Sequence, residues 1–239
     1  MACKGCDRDI KLIKAHAIPE AFFVGLRNEQ DPPRVITDTA GVFPKRAPIG
    51  IYDNGILCRD CEDMFQKVDD YGQKLLLQDE ENHVELKHNG RVDGYKVEQV
   101  DYKLLKLFVL SVLWRASVST QPFYAKVALG PYEEEIKKLI WSSDAGKNDQ
   151  FSFVVSKFRG AGVGRTILDP HRERWEGINY YRLYMYGYVF YIKVDKRPTP
   201  KLFRDFVLFD GEPLIIIGRD IHNSKEYPVM LSVVKKSRS

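Results

Sequence analysis

The sequence predicts an α+β protein in two parts, on three observations. Four cysteines fall in two Cys-x-x-Cys pairs, Cys3 with Cys6 and Cys58 with Cys61, all within the first quarter of the chain. A run from Tyr102 to Arg115 is apolar nearly all round, as a helix at the centre of a domain would be. Beyond Asp149 the pattern changes to period two with β-branched and aromatic residues, which reads as antiparallel sheet. The expected organisation is a metal-held module over residues 1–77, a linker or hairpin over 78–100, and a helix-plus-antiparallel-sheet domain over 101–239.

Composition sets the bounds on that reading. At 239 residues, 44% of them hydrophobic and 12% aromatic, the chain can bury one large core or a small module plus a medium domain. A formal charge of +4 leans only weakly towards an anionic partner and reads first as a solvated surface that is slightly basic. No apolar run reaches the roughly 18 residues needed to span a bilayer. Met1-Ala2-Cys3-Lys4 also lacks the apolar centre of a signal peptide, so a cytoplasmic protein without a membrane partner is expected. In a reducing compartment four cysteines read as metal ligands in preference to disulfides.

The elements follow in order. The first segment carries turn-rich stretches at Asp31-Pro32-Pro33 and Phe43 to Pro48, and it needs a metal clip to hold its shape. A helix is expected from Cys58 to about Leu77, because Met64, Phe65, Val68, Tyr71, Leu75 and Leu76 recur at three- and four-residue steps. Asn89-Gly90 signals a turn. The Leu104 to Trp114 stretch suits a buried helix and suits a homodimer interface or a companion protein as well. Tyr132 to Trp141 reads as an amphipathic helix opened by a proline and three glutamates. Strands are expected at Phe151 to Phe158, Tyr180 to Val194, Phe206 to Phe209, Pro213 to Ile217 and Val229 to Val234. Tyr184, Tyr186, Tyr188, Phe190 and Ile192 would then give one face an aromatic stripe, read as core ahead of a ligand platform.

Two Cys-x-x-Cys pairs supply the four thiolates of a closed tetrahedral zinc site. Gly5 suits the tight turn of the first pair. Redox pairs, the alternative, would each want a strand-to-helix setting, and only the second pair opens a helix. Structural Zn²⁺ on Cys3, Cys6, Cys58 and Cys61 is therefore the expectation.

Between the pairs lie Ala15-His16-Ala17-Ile18-Pro19 and Phe22-Phe23, and ahead of the second pair lies Tyr52-Asp53-Asn54-Gly55, followed by Ile56-Leu57-Cys58-Arg59-Asp60-Cys61-Glu62. This order resembles the four-cysteine branch of the HNH (ββα-metal, treble-clef) endonucleases. The resemblance covers about the first third of the chain. It implies phosphodiester hydrolysis in DNA or RNA, with His16 as general base, Asp53 or Asn54 orienting that imidazole, and Glu62 holding a catalytic Mg²⁺ or Mn²⁺. An imidazole titrates near neutrality and can take a proton from water, and a carboxylate is a hard oxygen donor suited to Mg²⁺. The chain departs from the family at Ala15, where active members often place an Asp; Asp53, Asp60 or Asp63 would have to compensate. The Phe108 to Ser117 stretch with Leu129-Gly130-Pro131 is similar to uncharacterised bacterial and prophage proteins, which suggests phage defence or a mobile element. A degenerate module that binds nucleic acid or a protein without cutting is the alternative expectation.

Each of these residues also has a plainer reading. His16 suits a structural hydrogen bond, Glu62 a first-turn helix charge, and Asp53-Asn54-Gly55 an ordinary turn. Residues 160–166 hold three glycines but lack the Gly-Lys-Ser/Thr ending of a phosphate loop, so a hairpin is expected there. The basic residues around it (Lys157, Arg159, Arg165, Arg172 and Arg174) read as solvated loops ahead of a nucleic-acid face.

Overall fold

The computed structural model describes residues 1–27, 32–37, 39, 42–159 and 166–236. After the turn that carries Cys3 and Cys6 come β1 (Ala15–His16), the short helix α1 (Ala21–Val24), β2 (Arg34–Ile36), β3 (Lys45–Arg46) and β4 (Tyr52–Asp53). Next are α2 (Arg59–Asp63), which starts directly after Cys58, and α3 (Gln66–Gln73), which widens into a π-helical turn at Lys74–Gln78. The expected helix from Cys58 to Leu77 is thus helical throughout but jogged near Met64 and Phe65.

Residues 78–100 contain a hairpin, β5 (Val84–His88) and β6 (Arg91–Val97), with Asn89-Gly90 at its tip. Then follow α4 (Tyr102–Val118), α5 (Tyr132–Trp141), β7 (Phe153–Arg159), β8 (Thr166–Leu168), β9 (His171–Trp175), β10 (Ile178–Met185), β11 (Tyr188–Lys193), α6 (Lys201–Arg204), β12 (Leu214–Asp220) and α7 (Glu226–Lys236). The glycine-rich segment expected as a hairpin lies, apart from Thr166, outside the described residues.

Seven strands form the main sheet in the order β5-β6-β12-β7-β11-β10-β9, and β2 joins β3 and β8 in a small separate sheet. The main sheet is not wholly antiparallel, because β12 runs parallel to β7. The parallel neighbours β7 and β12 are separated in the chain by β8 to β11 and α6, a crossover of the kind that parallel pairing requires.

Three sequence expectations change here. Tyr180 to Val194 is a hairpin, with Tyr186-Gly187 as its turn. Because even-numbered residues of β10 pair with odd-numbered residues of β11, Tyr184 shares a face with Val189 and Tyr191, while Tyr188, Phe190 and Ile192 point the other way. The aromatic stripe is therefore divided between two faces, and Tyr184, Tyr188, Phe190 and Ile192 are all buried. Phe206 to Phe209 is irregular chain, and Val229 to Val234 lies within α7. A short apolar run does not distinguish strand from helix by period alone, and Pro228 in the first turn favours the helix.

One core runs through the molecule. Helix α4 is its axis, with Leu105 and Leu107 to Leu113 buried among the other elements. Phe22 of α1 stacks on Phe108 at 5.7 Å between ring centroids. A Cβ at Gly72 would come within 2.6 Å of the same Phe108 ring, so only glycine lets α3 lie this close to α4. On the outer side of the sheet, Glu226 at the start of α7 is buried and accepts from Arg182, Tyr184 and Arg219. No helix among the described residues is long and apolar enough to cross a membrane.

Candidate metal centre and adjoining histidine site

The four cysteines converge. Their Sγ atoms all lie within 4.8 Å of one another, and Cys6 Sγ is 3.9 Å from Cys58 Sγ. Zinc–sulfur bonds of about 2.3 Å in a tetrahedron place sulfurs about 3.8 Å apart, whereas a disulfide would bring a pair to about 2.05 Å. All four are free thiols, so the arrangement is that of a metal-ligand set. Local chemistry assembles it: the backbone amide of Cys58 donates to Cys3 Sγ at 3.3 Å, and Lys4 N donates to Ile56 O at 2.8 Å, which ties the first pair to the approach of the second. A Cβ at Gly5 would sit 2.7 Å from Cys61 Sγ and 2.8 Å from a Trp141 ring atom, so the turn accepts only glycine. Arg8 donates to Cys6 Sγ at 3.2 Å and to Asp60 at 2.8 Å. Its hydrogen bond draws the Cys6 thiol down to about 6, while burial pushes Cys61 up.

Beside this centre, β1 and β4 pair antiparallel, with Ala15 opposite Asp53 and His16 opposite Tyr52. Helix α2 then brings Glu62 up to the backbone amide of His16, which stabilises its carboxylate. His16 Nε2 donates to Ile49 O at 3.0 Å. A carbonyl only accepts, so a neutral imidazole bound this way carries its proton on Nε2 and leaves the Nδ1 lone pair open. Burial lowers the His16 pKa and keeps it neutral. Burial raises the Glu62 pKa, against the opposing pull of Arg115, and Glu62 Oε2 is buried without a hydrogen-bond partner.

The other acids implied by the resemblance are placed differently. Asp53 is 3% exposed and its carboxylate is fully engaged. One oxygen accepts from Gly55 N at 2.8 Å. The other accepts from Thr120 N at 2.6 Å and from the hydroxyls of Ser119 and Thr120, both at 2.9 Å. Asp53 is thus a clamp between β4 and the end of α4. Asn54 is exposed. Asp60 is bound to Arg8, and Asp63 lies 3.8 Å from Arg59.

Two residues that sequence reasoning did not assign complete the surroundings. Arg115, 1% exposed, reaches from α4 to His16 O at 3.0 Å and holds Asp69 of α3 with two bonds of 2.8 and 2.6 Å. It also donates to Ser111 O at 3.3 Å and Ser111 Oγ at 3.2 Å, and it lies 4.6 Å from the Phe65 ring centroid. All five guanidinium N–H groups thereby have acceptors. The signal was present in the sequence: an arginine in the apolar second half of a helix needs a buried partner.

A second polar cluster lies on the sheet. A cavity of about 170 Å³ beneath the start of α7 is lined by Asp169, His171, Glu173, Arg182, Tyr184 and Glu226, among others. Its acids already face cations: Glu226 accepts from Arg182 and Arg219, Glu173 lies against Arg182 and Lys225, and Asp169 lies against Lys126.

Compared with family models, with curated proteins and with solved structures, the chain matches none of them, so the reading of this site rests on its own geometry.

Proposed function

We propose that this protein is a metal-dependent hydrolase of phosphodiester bonds in nucleic acid, built on an HNH-type ββα-metal module. The observation that carries the reading is the pairing of an oriented base with an unsatisfied acid. His16 presents an open Nδ1 because Ile49 O holds its Nε2, and Glu62, set against the His16 backbone, has a buried oxygen with no partner. His16 Nδ1 would take the proton from the attacking water. Glu62 would hold a Mg²⁺ or Mn²⁺ ion, which when bound neutralises charge on the phosphate. Cys3, Cys6, Cys58 and Cys61 would hold a structural Zn²⁺, since four thiolates at this spacing fit a closed site with no open position for chemistry. Coordination deprotonates thiols, so it overrides the upward pull of burial on Cys61. Asp53 supports the module from behind and takes no part in catalysis.

The test is to incubate the protein with plasmid, single-stranded DNA and RNA, with and without Mg²⁺ or Mn²⁺. Cleavage that needs the divalent ion and disappears in both His16→Ala and Glu62→Gln supports the proposal. Cleavage that survives His16→Ala removes it.

A second reading, a non-cutting nucleic-acid-binding scaffold, is favoured by one specific observation. Ala15 is fully buried where active members often carry an acid, and Asp69, an acid near Glu62, is committed to Arg115. Salt-sensitive binding without cleavage under every metal condition would select it.

A further inference from the structure

Resting on the nucleic-acid reading above, we infer that the exposed segment around β3 is a docking surface for single-stranded nucleic acid, with Phe43 as the base-stacking residue and Lys45 and Arg46 as phosphate contacts.

Three observations meet there. Phe43 is 68% exposed, the most exposed phenylalanine, and Val42 beside it is 49% exposed. Lys45 and Arg46 are both exposed, and the stretch from Val42 to Tyr52 contains no acidic residue. Finally, the segment runs straight into the histidine site: Ile49 O binds His16 Nε2, and Arg27 donates to the neighbouring Pro48 O. Lys14, just ahead of β1 and with its Nζ 4.8 Å from the Tyr52 ring centroid, adds a cation.

The strandedness follows from Phe43. Inside a duplex each base face is covered by its neighbours, so a protruding ring gains nothing by approaching it. An unpaired base offers a free face, and sequence-tolerant stacking of that kind with cations along the backbone is how single strands are held.

The experiment measures fluorescence anisotropy of short labelled single strands, DNA and RNA, and of the matching duplex. It uses full-length His16→Ala protein, and wild-type protein without added divalent ion. Single strands should bind at least about 10-fold tighter than the duplex, and Phe43→Ala should weaken them about 10-fold. Lys45→Ala/Arg46→Ala should reduce the slope of log affinity against log salt by about 1.4. Near-ultraviolet circular dichroism checks that each variant is folded. Equal affinity for duplex, loss of binding with Arg172→Ala/Arg174→Ala in place of the β3 variants, or no oligonucleotide binding at all would overturn the assignment. The two ideas fail separately: unaltered binding by Phe43→Ala alongside metal-dependent cleavage sinks the surface alone, whereas binding that follows this pattern without cleavage sinks the hydrolase alone.

Discussion

The cysteine cluster and the histidine site lie side by side in the first third of the chain, yet they are held in opposite ways. The cysteines are brought together by their own neighbourhood: a glycine turn, a backbone amide to Cys3 Sγ, and an arginine two residues from Cys6. His16 is held from a distance, through Arg115 and the Asp53 contacts with Ser119 and Thr120, all at the far end of α4. A metal-ligand set can be local because the metal supplies the cross-link. The imidazole has one tie inside the module, to Ile49 O, and the rest of the protein fixes the backbone that carries it.

The comparison breaks most visibly if the ion proposed for the cysteines is removed. Chelation, or Cys58→Ser, should unfold the 1–77 region, since structural zinc in small modules contributes on the order of 10 kcal/mol. Tryptophan emission reports it, because Trp141 touches Gly5 and packs against Trp114 and Phe65. Unchanged emission would show that the cysteines need no ion.

Next in size is Arg115→Ala. Leaving Asp69 charged and unpaired should cost about 3–5 kcal/mol in urea unfolding. Adding Asp69→Asn should recover part of it, and strict additivity of the two changes would count against a coupled pair. Asp53→Ala comes third, at about 1–3 kcal/mol, for the donors it leaves unmet at Gly55 and Thr120. Its urea midpoint should shift whether or not the protein cuts nucleic acid.

The pH dependence sharpens the comparison on the histidine side. Burial lowers the pKa of His16 and also of His83, whose Nε2 binds Leu75 O at 3.0 Å. The unfolded chain then binds more protons than the native state at pH values below about 6.5, so stability rises with pH through that window and levels off above it. The contribution is lost as pH falls through the native pKa values. Urea midpoints across that range should flatten in a His16→Asn/His83→Asn double variant; an unaltered slope would assign the dependence to other groups. The smallest stability effect is expected of Glu62→Gln, within about 1 kcal/mol, because it removes a buried charge that has an unpartnered oxygen. A large loss would recast Glu62 as a structural residue.

What was legible in the sequence follows the same division. The Cys-x-x-Cys pairs, the apolar α4 and the amphipathic α5 depend on local spacing, and each is found where the pattern put it. The parallel β12/β7 pairing, the two-faced tyrosines and the helical Val229 to Val234 depend on register, crossover and a late proline, none of which a window of period two records. Around the histidine, the motif singles out His16, Asp53, Asn54 and Glu62 alike as candidates, and the commitment of Asp53 to Ser119 and Thr120 is not legible in it. Its partners are 66 and 67 residues away, and Asp-Asn-Gly reads as a turn on any local view.

The grip of α4 on both β1 and β4 has a consequence for ancestry. Positions 16 and 115, 99 residues apart, are joined by a hydrogen bond, so the front third is no exchangeable cassette. A recombination event that brought in a foreign cysteine-bearing module would leave Arg115, Ser119 and Thr120 facing strangers, and descendants of this protein are expected to inherit the two ends together.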